Sequence, residues 1–106
     1  MRKLILFAIL ALVPEVTLSQ SMESMQKAQE LGSLLASEEM CGFVYDQDSI
    51  SSWIDQNTDA SDMGFASTLA MMTDGAKFQF SSMNDSSKTA HCRSIERTAK
   101  HFGFIK

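Results

Sequence analysis

Apolar side chains recur every three or four residues in four stretches of this chain, which is the spacing that places them on one face of an α-helix. In the first stretch, residues 22–40, the stripe consists of Met25, Ala28, Leu31, Leu34 and Leu35. Gly42 follows at the place where a left-handed residue often ends a helix, and Phe43 can fold back behind it. The pattern predicts a first helix over about residues 22–40.

The second stretch is short and begins with acidic residues that can cap a helix. Either Asp46 or Asp48 can accept hydrogen bonds from the N–H groups of a first turn. Three large apolar residues then share one side of the helix: Ile50, Trp53 and Ile54. We expect a short second helix here.

The third stretch begins near residues 61–62 and carries apolar residues at spacings of 4, 3, 4 and 4: Phe65, Leu69, Met72, Ala76 and Phe80. Gly75 interrupts it, and a helix that ends there, followed by a strand-like piece over 77–81, is the alternative. Because the stripe passes through Gly75 without losing its phase, we expect the helix to continue to about Ser82.

The fourth stretch has clear signals at both ends. Asn84 or Asp85 can cap its start, and its stripe consists of Cys92, Ile95, Ala99 and Phe102. Gly103 can take the left-handed position after the helix, where Phe104 can pack back on it. Residues 20–106 also lack proline, and the β-branched apolar residues that strands favour are scarce there. The predicted fold class is therefore all-α, a small four-helix array.

Residues 1–19 have the features of a secretory signal peptide. Two basic residues precede an apolar run over residues 4–13, and the small residues Thr17 and Ser19 suit cleavage before Gln20. The alternative is a retained signal anchor, although the run is only half of the ~20 residues that a membrane-spanning helix needs. We expect the signal peptide to be removed.

Residues 20–106 are expected to form a single exported helical domain, periplasmic or secreted, and an oxidising compartment favours disulfides. Cys41 would end the first helix, and Cys92 lies on the core side of the fourth. Their pairing closes a loop of 51 residues, for which chain entropy predicts roughly 4 kcal/mol of stabilisation. A reactive or metal-binding thiol pair is the alternative, and the lack of a Cys-x-x-Cys motif argues against it. We therefore expect a structural Cys41–Cys92 disulfide.

The charge balance limits the kinds of partner. Removing Arg2, Lys3 and Glu15 leaves seven of the 9 Lys+Arg residues and twelve of the 13 Asp+Glu residues, a net charge of −5. An acidic chain without a basic cluster is not expected to bind nucleic acid. Once the signal peptide is gone, we expect no stable membrane insertion.

Two patterns resemble metal sites but are incomplete. Asp55, Asn57 and Asp59 match three positions of an EF-hand calcium loop, but alanines occupy its glycine and glutamate positions. Met22 and Met25 could present two thioethers to Cu(I), but no third soft ligand is near them in sequence. A polar turn and packing contacts are the preferred interpretations. We expect no bound metal and no cofactor.

No catalytic residue is predicted either. His91 is next to Cys92, but adjacent helical residues point about 100° apart, and the thiol is expected to be oxidised. Ser67 follows Gly64, but the second glycine of a Gly-x-Ser-x-Gly nucleophile elbow is missing. We therefore expect that this protein is not an enzyme.

Four large side chains lie off the predicted core stripes: Phe43, Tyr45, Met71 and Phe78. Aromatic residues and methionine are enriched at protein–protein interfaces. Some of the four are therefore predicted to be solvent-facing neighbours on a surface that binds a protein partner. The alternative is that loops and the short second helix cover them.

The favoured function is a small exported protein-interaction module of the inhibitor, immunity or envelope-subunit type. A periplasmic holdase chaperone of the stress or acid type is the alternative. The chain resembles the small periplasmic acid-stress chaperones in architecture, because they are also short, exported, helical and closed by one long-loop disulfide. No residue motif accompanies this resemblance, so no site residue is transferred. An enzyme or a metal carrier ranks third.

Overall fold

The computed structural model describes residues 13–106, with side chains from residue 22 onward. This part of the chain forms four helices and no strand: α1 (Val13–Cys41), α2 (Gln47–Asn57), α3 (Phe65–Ser81) and α4 (Asp85–Phe102). The predicted all-α four-helix fold is confirmed. Most of the predicted signal peptide, residues 1–12, lies outside the described residues, and residues 13–19 belong to the first turns of α1. The start predicted for the first helix, about residue 22, is therefore wrong: α1 begins at Val13, because helical backbone hydrogen bonding extends beyond the residues that pack on the core.

The C-terminus of α1 is formed as its sequence predicts. Gly42 has a φ of 72°, in the left-handed region that glycine adopts without steric cost. Its N–H donates to the Glu39 carbonyl, and the Phe43 N–H donates to the Glu38 carbonyl. These two bonds are the pair that defines a Schellman motif. They stop α1 after Cys41 and turn the chain back toward the core.

For both α2 and α4, one of the two predicted capping residues forms the N-cap. Asp46 caps α2, accepting the N–H of Asp48 at 3.2 Å. Asn84 caps α4, accepting the N–H of Ser87 at 2.8 Å. Gly103 ends α4 with a φ of 83°, so both predicted ends of this helix are confirmed.

The start of α3 differs from the prediction. The helix begins at Phe65 and not near residues 61–62, and its N-cap Gly64 makes no side-chain cap bond. The reason is a tight turn in the preceding loop, where the Asp59 carboxylate accepts the N–H of Ser61 at 3.0 Å. The Asp62 carboxylate accepts a hydrogen bond from α1 instead of capping α3. At the other end, α3 continues through Gly75 to Ser81, as predicted.

The core lies between α1 and the elements that surround it. α1 contacts both α3 and α4, and ring stacking of Trp53 on Phe102 at 6.0 Å joins α2 to α4. The buried core residues are Ala28, Leu31, Leu34, Tyr45, Ile50, Phe65, Ile95, Ala99 and Phe104. Met25, predicted for the α1 stripe, is 50% exposed, because it lies in the N-terminal half of α1 beside the polar α2–α3 loop.

Close contact between α1 and α3 depends on a glycine in α1. A Cβ atom at Gly32 would lie 3.1 Å from the Cβ of Met72 and 3.2 Å from the Thr73 nitrogen. Glycine therefore lets the two helix backbones approach more closely than any other residue would. This position holds the inward face of α3 against α1 and directs the opposite face toward solvent.

Among residues 13–106, no helix has both the length and the apolar character that crossing a membrane requires.

Candidate functional site

The four residues predicted for a partner surface do not form one surface, because Tyr45 belongs to the core. Tyr45 is only 3% exposed. Its hydroxyl donates to the Leu34 carbonyl at 2.8 Å, and its N–H donates to the Glu38 carboxylate at 2.8 Å. Its ring also packs against Phe104 at 5.8 Å. The side chain joins the α1–α2 loop to both α1 and the C-terminal segment, and it is not available to a partner.

Phe43 is a neighbour of Tyr45, and the two rings stack with their centroids 6.4 Å apart. It is half-buried and packs against the core, and it lines an open groove of about 410 Å³ beside the Cys41–Cys92 disulfide. Lys88 and Arg93 of α4 line the same groove. Met71 and Phe78 do not line this groove, so the structure brings Phe43 together with Tyr45 and not with these two.

Met71 and Phe78 are both exposed on α3. Met71 is 67% exposed and Phe78 is 82% exposed. They lie seven residues apart, which is two helical turns, so their side chains project in nearly the same direction. The core stripe of α3 lies on the other side of the helix, where Phe65 and Phe80 are buried. Of the four predicted residues, these two share one outward face.

This face, which we call the outer α3 face, consists of Met71, Asp74, Gly75, Lys77 and Phe78. All five residues are exposed. Apart from its chain neighbours and the backbone of its own helix, no heavy atom lies within 4 Å of the position where Gly75 would carry a Cβ, so a notch separates Met71 from Phe78. Among residues 22–106, neither Asp74 nor Lys77 forms an ion pair. The face is therefore apolar at both ends and carries one charge of each sign.

The remaining exposed large apolar residues lie elsewhere in the chain. Met22 and Met25 are in the N-terminal half of α1, Val44 is in the α1–α2 loop, and Met63 is in the α2–α3 loop. None of these residues is on α3. Met22 and Met25 are therefore a second exposed apolar pair on one helix, and the outer α3 face differs from that pair in presenting an aromatic side chain.

The incomplete calcium loop forms part of a polar groove of about 690 Å³ between α1 and the α2–α3 loop. The Asn57 side chain donates its amide to the Trp53 carbonyl, and the Asp59 carboxylate accepts the N–H of Ser61. The Lys27 ammonium donates to the Asn57 carbonyl at 2.8 Å. These hydrogen bonds stabilise the end of α2 and the turn after it. Within the described part of the chain, no three His, Cys, Asp or Glu side chains are grouped as a metal site would require.

A buried polar contact that the sequence did not reveal joins α1, α3 and α4. The Ser37 side chain is fully buried, and its Oγ lies 2.8 Å from His91 Nε2. The Phe80 ring packs on the imidazole at 4.2 Å. Ser37 is four residues before Cys41, and His91 is adjacent to Cys92. The predicted cysteine pairing was therefore the available clue that these two residues are neighbours.

The Ser37–His91 pair has the bonding of a structural contact and not of an activated nucleophile. The Ser37 hydroxyl donates its single proton to the Ser33 carbonyl at 2.8 Å. Its oxygen must therefore accept from the His91 Nε2–H, which leaves no basic nitrogen facing the serine. Burial lowers the pKa of His91 because it disfavours the charged imidazolium. The pair satisfies two polar groups inside the bundle.

The predicted disulfide is present. Cys41 and Cys92 are bonded, with their Cα atoms 5.5 Å apart. The bond joins the last residue of α1 to the first half of α4, next to the Ser37–His91 contact. It is a structural link at the end of the bundle opposite the polar groove.

Comparison of this chain with protein-family models, with curated proteins and with solved structures found no match.

Proposed function

We propose that this protein is a small exported protein-interaction module, of the inhibitor, immunity or envelope-subunit type, that binds its partner through the outer α3 face. The supporting observation is the exposure of Met71 and Phe78 on one face of α3, opposite the core. Large apolar side chains presented together on a helix are typical of a surface that another protein covers.

The energetics favour contact with another protein. Burying a Phe or Met side chain contributes about 1.5–3 kcal/mol. Methionine adapts its shape to a partner, and phenylalanine gives a rigid anchor that loses little entropy on binding. The packing of α3 does not require either residue to be apolar, because its inward stripe already supplies the core contacts.

The charges of the surface are consistent with a protein partner. The chain has a formal net charge of −4, so its overall field repels nucleic acid. The outer α3 face itself carries Asp74 and Lys77, which together leave it neutral. A neutral face with apolar anchors and a polar border has the composition of a small protein–protein interface.

The test is partner capture by the immobilised mature chain from the envelope and culture fractions of its own host. The wild type is compared with a Met71→Ser/Phe78→Ser variant and with a Val44→Ser control, since Val44 is 87% exposed but lies outside α3. We expect the wild type and the control to retain the same partner and the double variant to lose it. Equal capture by all three chains, with unchanged melting temperatures, would refute the proposal.

Suppression of client aggregation provides a direct comparison with the holdase alternative. The three chains are incubated without reductant with a client protein that has no cysteine and aggregates when unfolded, at neutral and at acidic pH, and light scattering is followed. A specific interaction module leaves the aggregation of the client unchanged at both pH values. Suppression at acidic pH by the wild type and by both variants alike would favour the holdase.

A further inference from the structure

We infer that the Cys41–Cys92 disulfide is a site of thiol–disulfide exchange in the folded protein, where the thiolate of a small thiol attacks Cys41 Sγ and Cys92 leaves as the thiolate. The groove beside this bond contains no residue of α3, so the site is separate from the outer α3 face. Its reactivity does not depend on the proposed function.

A small molecule can reach the disulfide through the open groove of about 410 Å³ that both cysteines line. Both cysteines are partly exposed and are not enclosed by the core. Met40 and Phe43 supply apolar surface to the same groove, which suits the carbon chain of a small thiol. A disulfide deep in a core is inert because no thiolate can approach it. Here the approach does not require the fold to open.

The Cys92 end of the bond lies among cations. Lys88 precedes Cys92 by four residues, so the two side chains lie on the same face of α4, and both Lys88 and Arg93 line the groove. Within residues 22–106, Lys88 forms no ion pair. The Glu96 carboxylate, which also lines the groove, is paired with Arg93 and with Lys100 at 3.7 Å each. The Lys88 ammonium can therefore stabilise the negative charge that develops on Cys92 Sγ.

The Cys41 end of the bond has the opposite electrostatic surroundings. Cys41 is the last residue of α1, and the last turn of this helix contains Glu38 and Glu39 but no basic residue. The partial negative charge of the helix C-terminus adds to theirs, so a thiolate at Cys41 is disfavoured. In thiol–disulfide exchange, the sulfur that carries negative charge more easily leaves faster. The electron pair of the S–S bond therefore goes to Cys92, and the incoming sulfur bonds to Cys41.

The exchange is balanced when the reagent is a small dithiol. The first reagent sulfur loses its proton to water and bonds to Cys41 Sγ while the Cys41–Cys92 bond breaks. The second reagent sulfur also loses its proton, bonds to the first sulfur and displaces Cys41 as a thiolate. Both protein sulfurs are then reduced and take up one proton each, and the two reagent sulfurs are oxidised to a cyclic disulfide.

The first experiment measures how fast dithiothreitol reduces the purified, disulfide-bonded chain in increasing urea below the unfolding transition. Samples are quenched with N-ethylmaleimide, and intact mass gives the reduced fraction. Exchange in the folded protein should proceed at a rate that is nearly independent of urea. Exchange that requires unfolding accelerates with urea, because the unfolded population grows. A rate that rises steeply with urea would overturn the inference.

A matched pair of lysine variants tests the charge at the Cys92 end. Lys88→Gln removes the ammonium beside the disulfide, whereas Lys77→Gln removes an exposed one on α3. Reduction of the Lys88→Gln chain should be about two- to fivefold slower than that of the wild type, and the Lys77→Gln chain should match the wild type. Equal rates in all three folded chains would also overturn the inference, because the cation would then not direct the exchange. Circular dichroism melting verifies that the variants fold.

Alkylation of the reduced protein identifies the leaving sulfur. The reduced chain is treated with iodoacetamide over a series of pH values below its melting temperature, and peptide mapping follows each cysteine separately. Cys92 should react at lower pH than Cys41, and Lys88→Gln should narrow the difference between them. If Cys41 reacts at the lower pH, the direction of exchange is reversed and the inference is wrong.

Discussion

Tyr45 is the residue whose position in the fold most changes its chemistry. Burial of the phenol disfavours its charged form, and the Glu38 carboxylate nearby adds to this effect, so that together they raise the pKa of Tyr45 to about 12. It is also the one tyrosine of the chain. Its ionisation can therefore be followed without overlap from any other phenol.

We expect an alkaline titration of the folded protein to show no phenolate absorbance until the pH approaches about 12. In the unfolded chain the phenol ionises near pH 10. Above about pH 10 the unfolded state therefore holds fewer protons than the folded state, and stability falls as the pH rises from about 10 to about 12. Phenolate absorbance that develops near pH 10 in the folded protein would contradict the burial of Tyr45.

The lowered pKa of His91 gives a prediction about stability at acidic pH. Burial lowers the pKa of His91 in the folded state. The unfolded imidazole takes up a proton near pH 6.5, whereas the folded protein takes it up only at a lower pH. Stability should therefore fall as the pH is lowered below about 6.5. The fall in melting temperature should be smaller in a His91→Gln variant than in the wild type.

The matched control is His101→Gln, since His101 is exposed on the same helix. This variant controls for the loss of a histidine from α4. A titration of the His91 imidazole by NMR gives a second measurement that does not depend on the stability of the variants. Equal pH dependence in the His91→Gln variant and the wild type would show that the partly buried His91 imidazole contributes nothing.

At the scale of the helices, two glycines with opposite surroundings give a paired prediction. A Cβ at Gly32 would lie 3.1–3.3 Å from Met72 and Thr73 of α3, including backbone atoms, whereas a Cβ at Gly75 would meet nothing within 4 Å. Gly32→Ala should destabilise the protein by about 1–3 kcal/mol, because α1 and α3 must separate. Gly75→Ala should stabilise it by about 0.5–1 kcal/mol through helix propensity.

Denaturant unfolding of the two variants and the wild type measures both effects. Each variant is the control for the other, because both exchange a helical glycine for alanine. Equal shifts in the unfolding midpoint would mean that the close approach of α1 and α3 at Gly32 has no energetic importance.

The helix boundaries show which signals in a sequence are reliable. The ends at Gly42 and Gly103 and the cap at Asn84 were predicted from residues that act within a few positions of themselves. The start of α3 was predicted wrongly, because Asp62 bonds to Ser24 in α1. A side chain that can cap its own helix can equally bond to a distant one, and only the packing of the chain selects between them.

For the whole molecule, the disulfide is the link whose loss should matter most. It closes a loop with a sequence separation of 51, for which chain entropy gives roughly 4 kcal/mol. Reduction should therefore lower the melting temperature by roughly ten degrees or more in a domain of this size. A Cys41→Ser/Cys92→Ser variant should melt at the temperature of the reduced protein, with or without reductant.

The mature N-terminus expected after signal cleavage is a second prediction at this scale. Cleavage before Gln20 would leave α1 with Glu23 in its first turn, where an acidic side chain suits the positive end of the helix dipole. Intact-mass analysis of exported protein should give a chain that begins at Gln20. A full-length mass in the membrane fraction would indicate a retained signal anchor instead.

The four helices, most of their ends and the cysteine pairing could be predicted from the sequence, because periodicity, caps and glycine stops act over a few residues and two cysteines allow a single connectivity. The burial of Tyr45, the contact of Ser37 with His91 and the exposure of Met71 and Phe78 could not be predicted in this way. They depend on which distant segments of the chain pack together. Ser37 and His91 are 54 positions apart in sequence and are brought together by the whole fold, so no local pattern encodes that contact.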